Sequence, residues 1–84
     1  MAAEIAQKLR EFIVETFLFG EGGDDLGNDD SLLERGIIDS TGVLEMTAYI
    51  DEAFGVKVSD EELVPDNFDS IGKLAAFVAR KRGA

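Results

Sequence analysis

The sequence predicts an all-α protein, a small three-to-four-helix bundle with a long first loop. Apolar residues recur at helical spacing in three separate segments, Ser and Asp stand at the heads of several of them, and no stretch alternates long enough to be a strand. A chain of 84 residues has room for one core, so residues 1–84 are read as a single domain.

The first helix follows from Ile5, Leu9, Phe12, Ile13, Thr16 and Phe17, which share one face and stop before Gly20. Residues 20–30, GEGGDDLGNDD, show no apolar period and read as a long mobile loop with Leu26 at its tip. A calcium-loop reading fails. With Gly27 at the place the EF-hand glycine takes, the ligand positions fall on Gly22, Asp24 and Leu26, and Leu33 stands where glutamate belongs. Ser31-Leu32-Leu33-Glu34 has the form of a capping box, so a short turn is expected up to Gly36, after which Ile37 and Ile38 anchor the chain on the core.

The second helix spans Ser40 to Phe54, with Val43, Met46, Thr47, Ile50 and Phe54 facing inward and Gly55 as its stop. Ser59 to Glu62 is a second capping box, opening a brief acidic helix through Leu63 that Val64-Pro65 ends. Asp66 to Asp69 then form a connector. Ser70 caps the last helix, in which Ile71, Leu74, Ala75 and Val78 face inward and Arg80, Lys81 and Arg82 complement the C-terminal dipole. Met46, Tyr49, Ile50, Phe54 and Phe68 either fill the core or line a small acyl cavity, the filled core being the ordinary outcome.

Composition removes whole classes of function. With no Cys there is no disulfide, thiolate metal site or thiol nucleophile, and with no His the usual base for a serine nucleophile is missing. No catalytic or metal-binding residues are assigned, and an independent hydrolase is not expected. The formal net charge of −10 opposes binding to nucleic acid or an anionic membrane. The opening MAAEIAQKLREFIVETF lacks the apolar core of a signal peptide, so a cytoplasmic monomer is expected. Between Glu21 and Asp69, 15 acids face only Arg35 and Lys57, which calls for basic partners or for nothing beyond solubility.

Asp39-Ser40 precedes the second helix, and by frequency such a pair is only an N-cap. Gly42 in the first turn makes it unusual, because alanine there is better by about 1 kcal/mol of helix propensity. A missing side chain would let a bulky group or a partner approach. A helix start also offers free N–H groups and partial positive charge to a phosphate carried on the serine oxygen.

The first helix, the acidic loop, G-I-I-D-S, an acidic second helix ending E-A-F-G-V, and V-S-D-E-E-L-V-P-D-N-F-D-S-I before a final helix together resemble an acyl carrier protein of the phosphopantetheine-carrying superfamily, over essentially the whole chain. The resemblance implies 4′-phosphopantetheine joined to Ser40 by a phosphopantetheinyl transferase, with Asp39 helping to position the serine. The arm's thiol would carry an acyl or aminoacyl thioester, which brings in sulfur that the chain lacks. The second helix would be the recognition helix, with Thr41, Leu44, Glu45, Ala48, Asp51 and Glu52 meeting basic patches on the transferase, a loading ligase and downstream acyl-processing enzymes.

Thr41 and Gly42 stand where fatty-acid carriers have leucine and usually an acid, and Ala48 replaces a larger apolar residue. D-S-x-G is more similar to specialised stand-alone carriers, D-alanine carriers among them, that a dedicated adenylating ligase loads. The glycine pair that leads into the serine of peptide-synthetase carriers is missing, since Gly36 stands alone. The alternative from another class is an acidic helical adaptor that binds a basic protein and bears no prosthetic group.

Overall fold

The computed structural model describes residues 2–20 and 26–83, so the Gly22 and Asp24 positions of the calcium pattern lie outside the described residues. Among the described residues, four helices follow one another: α1 Ala2–Phe17, α2 Ser40–Phe54, α3 Pro65–Phe68 and α4 Ile71–Gly83, with a 3-10 turn at Asp60–Glu62. No strand is present among the described residues, as the short Val56-Lys57-Val58 alternation leads one to expect.

Ile5, Leu9 and Ile13 of α1 are buried, and the helix packs chiefly against α4. Thr16, which shares their stripe, is exposed, because it lies one turn beyond Ile13, the last fully buried layer of α1. From α2, Met46 and Ile50 are fully buried; Val43, Thr47 and Phe54 are half-buried at the edges of that stripe. Met46, Ile50 and Phe68 are thus core. In α4 the expected inward stripe is joined by Phe77, 2% exposed, whose ring lies 5.8 Å from that of Phe68. α4 is covered by α3 as well as by α1, so its buried arc is wider than one stripe.

Leu26 is a core residue at 2% exposure and not a loop tip. An isolated leucine in a polar loop is the one side chain that such a loop can bury, and its carbonyl accepts from the Arg10 guanidinium, which also donates to Asn28 Oδ1. The loop from residue 26 onward is therefore fastened and not free. Asp30 accepts from Gly27 N–H at 2.7 Å and pairs with Arg35 at 2.9 Å. Gly72 N–H donates to Asn28 O at 2.9 Å, and a Cβ at Gly72 would stand 3.2 Å from that same oxygen.

Asp69 completes the attachment. Its carboxylate accepts from the Ser31 hydroxyl at 2.7 Å and Leu33 N–H at 3.2 Å, while its carbonyl accepts from Leu32 N–H at 2.6 Å. The Ser31 hydroxyl also accepts from Glu34 N–H at 3.0 Å, the serine half of the anticipated capping box, and residues 32–36 form turns that end where Gly36 adopts φ 71. Ile38 is buried behind this segment and Ile37 half-buried.

At the second capping box, Glu62 accepts from Ser59 N–H at 2.9 Å and is also bound by Lys81 at 2.9 Å. Pro65 corrects the reading of residues 66–69 as a bare connector, because it opens the helical turn α3. Proline disfavours helix only in the residue before it; at the first helical position its missing N–H costs nothing. Ser70 caps α4 as expected, accepting from Lys73 N–H at 3.1 Å.

Candidate functional site

The site is built on the start of α2. Asp39, extended at φ −123, is the N-cap; its Oδ1 accepts from Gly42 N–H at 2.8 Å, and its carbonyl accepts from Val43 N–H at 2.9 Å. Ser40 is consequently the first residue inside the helix and not its cap. It is exposed, and among the described residues no hydrogen bond engages its hydroxyl. The two roles that Asp39-Ser40 could share are divided: the carboxylate holds the helix end and the hydroxyl is left to solvent.

Gly42 is buried, and the space above it is filled. The Cε1 atom of Phe17 would lie 3.2 Å from a Cβ at that position. The missing side chain therefore serves the packing of α1 on α2 and not the approach of an outside group. Phe17 is held edge-on to Phe12 at 6.0 Å, Phe12 stacks on Tyr49 at 4.1 Å, and Tyr49 meets Phe54 edge-on at 5.9 Å. This file of rings runs between α1 and α2 with the helices antiparallel, Phe17 beside Gly42 and the Lys8 carbonyl accepting from the Tyr49 hydroxyl at 3.2 Å. Burial, with Glu11 and Glu15 nearby, pushes the Tyr49 hydroxyl above its ordinary value and keeps it a neutral donor. The serine is thus carried on a helix that this file of rings packs against α1.

Of the residues assigned to the recognition face, Thr41, Leu44, Glu45, Ala48 and Glu52 are exposed, Leu44 at 60%. Asp51 is half-buried and its carboxylate pairs with Lys57 at 3.0 Å, which leaves it less charge to offer than its neighbours. Ser40 and this face adjoin along the helix.

Phe19 escaped the sequence reading. It is 86% exposed and sits at φ 54, the left-handed region, while Gly20 N–H turns back to Val14 O at 2.8 Å to close the end of α1. A non-glycine residue there costs about 1–2 kcal/mol. The available signal was the run Phe17-Leu18-Phe19-Gly20, three large apolar residues in a row before a helix stop, which no single helical face can bury together.

The chemistry here is that of a displayed hydroxyl and not of a pocket. A surface cleft of about 420 Å³, lined by Phe54, Gly55, Val56, Lys57, Lys81 and Arg82, lies at the far end of α2. The fifteen residues of α2 set it about 20 Å from Ser40. Among the described residues no cluster of His, Cys, Asp or Glu could hold a metal ion, and no helix is long and apolar enough to cross a membrane. A phosphate ester on Ser40 fits the geometry, because its hydroxyl is not needed for capping and the group would stand at a helix N-terminus.

Comparison with known proteins accords with this arrangement. A family model described as the phosphopantetheine attachment site matches residues 7–78. A probable acyl carrier protein, PigG of Serratia sp. (strain ATCC 39006), is 29% identical over 76 residues, which is 90% of this chain and 86% of that protein. The solved structure of an FAD-dependent dehydrogenase contains a chain that superposes with a TM-score of 0.74 at 36% identity, covering 83% of this chain and 97% of that one.

Proposed function

Because the chain belongs to the phosphopantetheine-attachment family of carrier domains, we propose that it is a stand-alone single-domain carrier, with its arm on Ser40, that shuttles an acyl or aminoacyl thioester between partner enzymes of a specialised pathway. Carrier domains of this family are not enzymes; they bear 4′-phosphopantetheine and work with phosphopantetheinyl transferases and biosynthetic enzymes. When attached, the arm supplies the thiol that a chain without Cys lacks.

The observation that carries the assignment to Ser40 is the division of labour with Asp39. A hydroxyl engaged in capping would have to leave its hydrogen bond to react; here the Asp39 carboxylate makes that bond to Gly42 N–H, and the Ser40 hydroxyl is exposed. In the transfer the bond from Ser40 Oγ to phosphorus forms as the pyrophosphate bond of coenzyme A breaks, the hydroxyl proton is removed in the transferase, and 3′,5′-ADP leaves. Asp39 keeps the first turn of α2 in place throughout. Thr41, Leu44, Glu45, Ala48 and Glu52, with Asp51 in a lesser part, present an acidic face with apolar points to basic partners.

The similar chain in the dehydrogenase structure lends support to one kind of cargo. That chain is nearly covered by this one, so it is itself of carrier size and too small to enclose a flavin and its substrate. This supports an acyl thioester that a flavin enzyme oxidises, with two hydrogens passing from the acyl group to FAD. The adaptor reading, in which Ser40 is a plain cap and no prosthetic group is borne, has no comparable support.

Incubation with coenzyme A, Mg²⁺ and a promiscuous phosphopantetheinyl transferase, read by intact-mass spectrometry, tests the assignment. One arm is added to the wild type and none to Ser40→Ala. Addition that survives Ser40→Ala places the attachment elsewhere. The mass of the cargo on protein isolated from its own cell then identifies the acyl group.

A further inference from the structure

We infer that Phe19 is a docking anchor for the enzyme that reaches Ser40, received in an apolar recess with a cationic rim on that enzyme; the inference rests on the carrier reading above. Phe19 and Ser40 belong to the same pole of the molecule. Phe19 is two residues beyond Phe17, whose ring lies against Gly42, and Gly42 is two residues beyond Ser40 in the first turn of α2. Phe19, 86% exposed, and Leu44, 60% exposed, are the two most exposed large apolar side chains among the described residues.

Three arguments assign a protein as the occupant. A standard interface covers about 800 Å² of each partner, a patch about 30 Å across. The two shorter dimensions of this molecule are only 25 and 21 Å, so an enzyme centred on Ser40 covers the pole that includes Phe19. Aromatic side chains are also over-represented among the few residues that dominate interface affinity. The last argument is charge: Asp39 and Glu45 are exposed acids close to Ser40, and a partner that buries Phe19 and Leu44 must meet them with cations around the recess.

The turn at Phe19 does not depend on the ring. Its backbone is closed by Gly20 N–H on Val14 O, and its side chain leaves the fold altogether. Asparagine tolerates the left-handed conformation better than phenylalanine and brings no aromatic surface. Phe19→Asn should therefore separate folding from docking, and Phe19→Tyr should retain docking.

The probe is the promiscuous transferase with coenzyme A and Mg²⁺, with steady-state rates measured against the concentration of apo protein. The expected result is a KM for Phe19→Asn raised by at least about fivefold. Its kcat should be unchanged, its melting temperature equal to or above wild type, and wild-type KM should return in Phe19→Tyr. An unchanged KM in Phe19→Asn, or a raised KM accompanied by a lowered melting temperature, overturns the inference while a modified wild type leaves the carrier reading intact. A wild type that takes no arm removes both.

Discussion

The ring of Phe17 occupies the space a side chain at Gly42 would need: Cε1 of the ring would stand 3.2 Å from a Cβ on the glycine, closer than ordinary van der Waals packing. The contact ties the end of α1 to the first turn of α2 and sets where Ser40 is displayed. Alanine at residue 42 would gain about 1 kcal/mol of helix propensity and spend most of it in displacing the ring. Gly42→Leu cannot be accommodated and should destabilise the fold by about 1–3 kcal/mol. Urea denaturation checks this, with Phe17→Ala in the Gly42→Leu background expected to recover part of the loss.

Asp39 and Ser40 should separate cleanly in stability measurements. Asp39→Ala removes the bond to Gly42 N–H and should cost about 1 kcal/mol, whereas Asp39→Asn keeps an acceptor and should cost little. Ser40→Ala should stay within about 0.5 kcal/mol of wild type. A large loss in Ser40→Ala would show that its hydroxyl holds the helix.

Acid should loosen the loop through Asp69. The Ser31 hydroxyl, then the Leu33 N–H and nearby Lys73, hold this carboxyl below its ordinary value of 3.8. The Ser59 N–H, followed by Lys81, does the same to Glu62 relative to 4.5. A carboxyl depressed in the folded state adds stability above its ordinary value and loses it as pH falls through the lower, folded one. Asp69→Asn keeps an acceptor but cannot titrate, so it should be less stable than wild type at neutral pH, with the difference closing below pH 3.8. Thermal melts from pH 7 to 3 read this directly.

Salt should stabilise this protein. With a net charge of −10, repulsion among the acids opposes the compact state. Raising the ionic strength shortens the screening length to about 8 Å at 0.15 M and should raise the melting temperature. Among the described residues the ion pairs at Asp30, Asp51 and Glu62, all at least partly open to solvent, give up little in exchange.

The helices, their caps at Ser70 and the Ser59 box, and the exposed serine at the head of α2 were legible because each rests on local chemistry: period, cap and stop lie within a few residues of one another. What was not legible depends on partners distant in sequence. Leu26 is buried because Arg10 and α4 draw the loop in, Gly42 is small because of Phe17, and Ser31 answers to Asp69 across 38 positions. Pro65 was read from its effect on the preceding residue alone, although its first-position preference is equally local. At the site, Ser40, Asp39 and the acidic face could be named from spacing and resemblance, but which of the pair caps the helix required the 2.8 Å bond from Gly42.

With the arm on Ser40 as proposed, the cap bond of α2, which belongs to Asp39, would not depend on what hangs from the serine. Loading and release would then follow one another while that helix keeps the same geometry, and the surface would be silent about its load. An enzyme downstream would have to tell a charged carrier from an empty one by the cargo itself, admitted into its own active site, and the order of steps would be written in such enzymes and not in this protein.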